Sequence, residues 1–135
     1  MGLDTYAGAR PPTDEDWKDS EDRFGLNDED IAAFERAEAE LEEEDGCVFG
    51  GNYFRGKIFN DLVRDIAGVT LYREWIPPET VAFMADAFED CDIEQVLREQ
   101  EDSGSHHEHS PATITSLACF FRLCADRHLG LVGSW

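Results

Sequence analysis

Residues 110–135 read SPATITSLACFFRLCADRHLGLVGSW. A serine followed by a proline is a strong helix start. Ser110 supplies a side-chain acceptor for the first orphan N–H groups, and Pro111 suits the first helical position, where no donor is needed. Ile114, Leu117, Phe121, Cys124, Ala125 and His128 then share one face at helical spacing, and Phe120 and Leu123 widen it. A helix with so broad an apolar face belongs at the centre of a core. Gly130 reads as its stop, and LVGSW as a short strand or extended tail. The natural partner for such a strand is the other short extended run, LDTYAG at 3–8.

Between these ends the pattern stays mostly helical. Residues 28–44 follow a capping Asn27 or Asp28 and carry an apolar stripe of Ile31, Phe34, Ala37 and Leu41. Asp28, Glu29 and Asp30 suit the positive end of that helix, and Gly46 reads as its stop. Residues 57–67 place Ile58, Phe59, Leu62, Val63 and Ile66 on one side before Gly68. Pro78 opens a helix through about residue 90, buried through Val81, Met84, Ala85 and Phe88, and a short helix follows at 92–99. Residues 47–56, CVFGGNYFRG, read as a turn or short hairpin, and LYREWI as a single turn. Residues 10–27 form an extended acidic segment held by Trp17 and Phe24, and 101–110 a polar loop. The pattern predicts a mainly α single domain over 1–135, of four to five helices, with a small two-stranded β element near the termini.

The composition is lopsided. Of 135 residues 31 are Asp or Glu and 11 are Lys or Arg, for a net charge of −20. Nine of the 11 cations are arginine, leaving only Lys18 and Lys57. Such a surface repels itself at low ionic strength, whereas screening at molar salt acts over about 3 Å. High acid with scarce lysine is the expected signature of a halophilic, salt-accumulating host. A charge mimic, binding a basic partner, is the competing reading. Without a basic patch to neutralise phosphates, direct nucleic-acid binding is disfavoured. The sequence has no apolar run of about 18 residues, so no membrane span is expected. The start, MGLDTYAGARPP, fits neither a signal peptide nor the myristoylation pattern, since Tyr6 stands where Ser or Thr is needed. A cytoplasmic protein is the expectation. In that setting its four cysteines, none in a CxxC pair, are expected to stay as thiols.

Four stretches invite chemistry. SGSHHEHSP, residues 103–111, gathers His106, His107 and His109 around Glu108. Imidazoles bind zinc, nickel or copper, but a structural site draws ligands from two chain segments, and this one sits in linker-like composition. GNYFRGK, 51–57, matches G-x-x-x-x-G-K but continues with Ile58 instead of Ser or Thr and has a bulky interior, so nucleotide binding is disfavoured. Arg55 and Lys57 remain a basic spot able to take a small anion. Cys124 and His128, at i and i+4, bring a thiol to an imidazole, though on the apolar face. LYREWIPPET combines Tyr72 and Trp75 with two prolines, which makes either binding surface or a packed corner.

GLDTY (2–6), YFRGK (53–57), LYREWIPPE (71–79), FFRLC (120–124) and LGLVGSW (129–135) together resemble a family of short uncharacterised prokaryotic proteins, here in an acidic version. The resemblance implies a natural domain. It assigns no activity, cofactor or site residue, and it skips the histidines of 103–111. The expected function is a non-catalytic protein-binding or regulatory module, without cofactor. Its partner would be another protein or itself, with neither nucleic acid nor membrane. The binding surface is Tyr53, Arg55, Lys57, Tyr72 and Trp75. The alternative is a metal- or thiol-dependent enzyme using His106, His107 and His109, or Cys124 with His128.

Overall fold

The computed structural model describes residues 3–18, 23–44, 47–102 and 109–135. In chain order the elements are β1 (Asp4–Gly8), α1 (Asp14–Lys18), α2 (Asp28–Glu44), β2 (Phe49–Gly50), β3 (Tyr53–Phe54) and α3 (Gly56–Ala67). They continue with β4 (Trp75–Ile76), α4 (Pro78–Asp90), α5 (Ile93–Asp102), α6 (Pro111–Asp126) and β5 (Gly130–Ser134).

The expectation of a mainly α domain with a two-stranded element is overturned. Among the described residues six helices accompany one five-stranded antiparallel sheet, ordered β2-β3-β1-β5-β4. The termini do pair, Asp4 opposite Ser134 through Gly8 opposite Gly130, but β1 and β5 lie inside a wider sheet. β2, β3 and β4 are two residues each, too short to show the period-2 alternation that betrays a strand. Pairing alone makes them strands. The β2–β3 hairpin turns through Gly51 and Asn52 and joins β1 through Tyr6 opposite Tyr53. β4 lies within LYREWI, which the sequence reads as a turn.

Residues directly opposite one another share a sheet face. Leu3, Ala7, Phe49, Phe54, Ile76 and Leu131 belong to the core cluster, on the helix-covered face. Phe120 of α6 is wholly buried there. Its ring centroid lies 5.0 Å from Phe34 of α2, 5.1 Å from Phe49 and 5.1 Å from Phe54. Helix and sheet therefore share one aromatic centre. Around it, polar side chains fix the connections. Asn60 accepts the N–H of Leu71 at 2.7 Å and thereby holds the chain entering β4. Arg127, just past α6, donates to Asp30 at the start of α2 at 2.6 Å. Gln100 of α5 donates to Asp65 of α3.

The ends of α6 show how local chemistry sets its length. Ser110 and Thr113 form a reciprocal capping box. At the other end the stop is His128, not Gly130. His128 sits at φ 57°, its N–H donates to Ala125 and the N–H of Leu129 donates to Cys124 at 2.7 Å. This is the Schellman arrangement, with histidine in the left-handed position that glycine occupies most easily. The ring is exposed, so little packing is lost on removing it. His128→Gly is expected to raise stability by about 1 kcal/mol, less the added freedom of the unfolded chain. A denaturation midpoint that falls in molar salt would contradict this.

The acidic segment 10–27 is not wholly extended. Thr13 and Asp16 cap α1 reciprocally, the Thr13 N–H donating to Asp16 at 2.7 Å. Arg10 grips the same carboxylate with two N–H groups at 2.6 and 3.0 Å, which with the Thr13 N–H holds Asp16 well below the usual carboxylate range. The chain then returns to the sheet, where the Ala9 N–H donates to the Phe24 carbonyl at 2.9 Å. Phe24 is buried at φ 48°, a left-handed conformation rare for a bulky residue. That backbone turn aims the ring onto the face of the sheet opposite the helices.

Candidate functional site

The second sheet face carries a row of aromatics, of which Tyr53 is exposed and Tyr6 and Trp75 are half-buried. Tyr53 on β3, Tyr6 on β1, Val132 on β5 and Trp75 on β4 stand in one register row across four strands. Tyr6 and Tyr53 stack at 5.5 Å and 27°. Phe24 covers the middle of the row, 5.3 Å from Tyr6, and Trp17 packs edge-on against Phe24 at 5.5 Å. Phe24, with Trp17 against it, therefore caps the middle of the row.

The structure brings the expected surface together in part. Tyr53 and Trp75 share the row but lie three strand spacings apart, roughly 14 Å. Arg55, two residues past Tyr53, faces Asp4 at 3.6 Å. Lys57 is exposed on the first turn of α3, beside the row and outside it. Tyr72 lies 5.9 Å from Trp135 with the rings edge to face. Trp75 is half-buried because its ring lies over Gly130, at 2.5 Å from where a Cβ would stand.

A cavity that no sequence pattern announces lies where β5 ends. It measures about 280 Å³ and is lined by Trp17, Glu74, Gly133, Ser134 and Trp135. Two of these residues are tryptophans, and the sequence assigns Trp17 only an anchoring role. No local pattern announces that a short helix near one end of the chain faces the last residue of the other. The β1–β5 pairing creates that neighbourhood.

The other candidate sites fare differently. His106 and His107 lie outside the described residues. His109 packs its ring 5.8 Å from Phe59 of α3. Among the described residues no group of three or more His, Cys, Asp or Glu side chains is placed to hold a metal. The G-x-x-x-x-G-K match spans the β2–β3 turn and the start of α3, whose first residue, Gly56, is buried against Thr5 and Leu3. A phosphate has no cradle there. Cys124 is fully buried, and burial, with the nearby Asp30 charge, pushes its thiol strongly up. His128 has turned out into solvent past the end of α6. The pair does not assemble as nucleophile and base.

Burial also raises the thiols of Cys119, Cys47 and Cys91. A thiol whose pKa is raised carries less thiolate at neutral pH and reacts more slowly. Iodoacetamide at pH 7 is expected to label Cys124 only after global unfolding, and the other three more slowly than free cysteine. Rapid native labelling of any one of them, read by peptide mass spectrometry, would revive a thiol chemistry.

Among the described residues no helix is long and apolar enough to cross a membrane. No family model, curated protein or solved structure matches the chain.

Proposed function

We propose that the protein is a non-catalytic binding module that docks a partner protein on the outer face of its sheet. The observation that carries this reading is the clustering of large exposed aromatics. Trp17, Tyr53, Tyr72 and Trp135 are each about 40% exposed or more; Tyr53 stacks on Tyr6 of that face, Trp17 packs on Phe24 over it, and Tyr72 and Trp135 pair with each other where β5 ends. Tyrosine and tryptophan enrich protein interfaces because they bury large areas with few rotors to freeze. The chain's charge of −20 makes a partner with cations around an apolar centre the complementary one. The four unpaired cysteines support a cytoplasmic setting.

In molar salt the aromatic part of such an interface outlasts the ionic part, because screening then acts over about 3 Å. The test is affinity capture from a host extract in molar KCl, followed by isothermal titration with the purified partner. Tyr53→Ala and Arg55→Glu are expected to lose the partner while melting like wild type. Phe83→Ala removes an exposed aromatic on α4, away from the sheet, and is expected to keep it. Capture that survives both sheet-face variants, or that vanishes for every protein once salt is molar, sinks the proposal.

A further inference from the structure

We infer that the cavity between Trp17 and Trp135 is a binding site for an N-methylated ammonium cation. This does not depend on whether a macromolecule docks on the sheet. Trp17 and Trp135 both line the cavity, and both remain largely open to solvent at 42% and 55% exposure. An indole has the strongest negative quadrupole of the aromatic side chains, and its face attracts cations within about 6 Å of the centroid. The third wall is Glu74. Its carboxylate makes no ion pair among the described residues, in contrast to Asp4, Asp16, Asp28, Asp30, Asp86 and Glu89, each paired with an arginine. Gly133 also lines the cavity; it has no side chain, and a Cβ there would press into the Arg73 carbonyl and stand 3.0 Å from the Trp135 ring.

Two indoles and one unpaired carboxylate beside a glycine select a particular ligand. An anion is repelled by Glu74 and the rings. A neutral apolar group gains only the hydrophobic contacts. Sodium and potassium hold their water too strongly to exchange it for a ring face. A methylated ammonium is a soft, weakly hydrated cation that offers methyl groups to the indoles and charge to the carboxylate. The cavity of about 280 Å³ admits a trimethylammonium group with a short chain. Its attraction to the rings comes partly from apolar contact, so it persists in high salt, where purely ionic contacts fade.

The site is anchored at both ends. Trp17 is held by its edge contact with Phe24, which is clamped against Tyr6. Trp135 is braced by Tyr72 at 5.9 Å. The rings are therefore positioned before a ligand arrives, which lowers the ordering cost of binding.

The test is a titration of the full chain in molar KCl with tetramethylammonium chloride, followed by the indole N–H resonances in a nitrogen-edited NMR spectrum. The chain has three tryptophans, and Trp75, which does not line the cavity, is the internal reference. The Trp17 and Trp135 signals are expected to move saturably, with a Kd on the order of 10 mM or below for a lone cation. Tert-butanol, the same shape without charge, is expected to bind at least about fivefold more weakly. Glu74→Gln is expected to weaken the cation by roughly fivefold and leave tert-butanol unchanged. Trp135→Leu is expected to abolish saturation with the β1–β5 amide signals in place. Parallel arms with choline and with a trimethyl-lysine peptide distinguish a free small cation from a modified protein side chain, and tighter binding of either identifies the source. No saturable shift, equal binding of tert-butanol, or an unchanged Kd in Glu74→Gln would each overturn the inference.

Discussion

Phe120→Ala is expected to destabilise the protein by about 4 kcal/mol, enough to leave it near the unfolding threshold of a small domain. The side chain is fully buried and touches four other phenylalanines. These come from α2, β2, β3 and α6 itself, so the cavity left behind is walled by helix and sheet together. Rigid walls on both sides cannot collapse into the space, which is the condition under which the cavity penalty is largest. Ring-edge contacts worth about 0.5–1.5 kcal/mol each are lost as well. Phe120→Leu keeps much of the volume and is expected to cost less than half as much. Denaturant midpoints in molar salt measure both, and a cost for Phe120→Ala below that of Phe120→Leu would mean that this ring is not the centre of the core.

That centrality was legible in the sequence. The run from Ser110 to Ala125 displays cap, first-position proline and apolar face in the right order, and the structure places the helix there. The helices at 28–44, 56–67 and 78–90 were legible for the same reason: each carries an apolar stripe over three or more turns. What was not legible is long-range. A two-residue strand has no periodicity, so Trp75–Ile76 looks like any corner until β5 lies beside it. His128 occupies a position whose usual signal is glycine, so the nearby Gly130 drew the reading of a helix stop. The exposed face suffers most from this. Tyr53, Tyr72 and Trp75 stood out as aromatics in turns, while Trp17 and Glu74 join Trp135 only through the folding of both chain ends onto one sheet.

The two glycines of LGLVGSW offer the sharpest check on that sheet. Alanine normally improves a strand over glycine, because glycine loses more conformational freedom on folding. Here the sign should reverse. Neither Gly130 nor Gly133 has a left-handed φ, so alanine meets no backbone strain at either position. What it meets is β4 at Gly130 and the chain entering β4 at Gly133. A Cβ on Gly130 would press into the Ile76 carbonyl and stand 2.5 Å from the Trp75 ring; a Cβ on Gly133 would press into the Arg73 carbonyl. Each substitution is expected to cost about 2–3 kcal/mol, since the obstacle is backbone that cannot rotate away. Hydrogen exchange should show where: the amide of Gly133, bonded to the Glu74 carbonyl at 3.3 Å, loses protection before the α6 amides do. The role of the indole is separable by a double-mutant cycle. In a Trp75→Leu background Gly130→Ala has less to displace, and its cost is expected to fall by about 1 kcal/mol, a coupling that independent sites do not show. Gly133→Ala, whose clash is with the carbonyl of Arg73, should keep its full cost in the same background. If both glycine substitutions are neutral, β4 does not lie against β5, and the aromatic face that depends on their pairing goes with it.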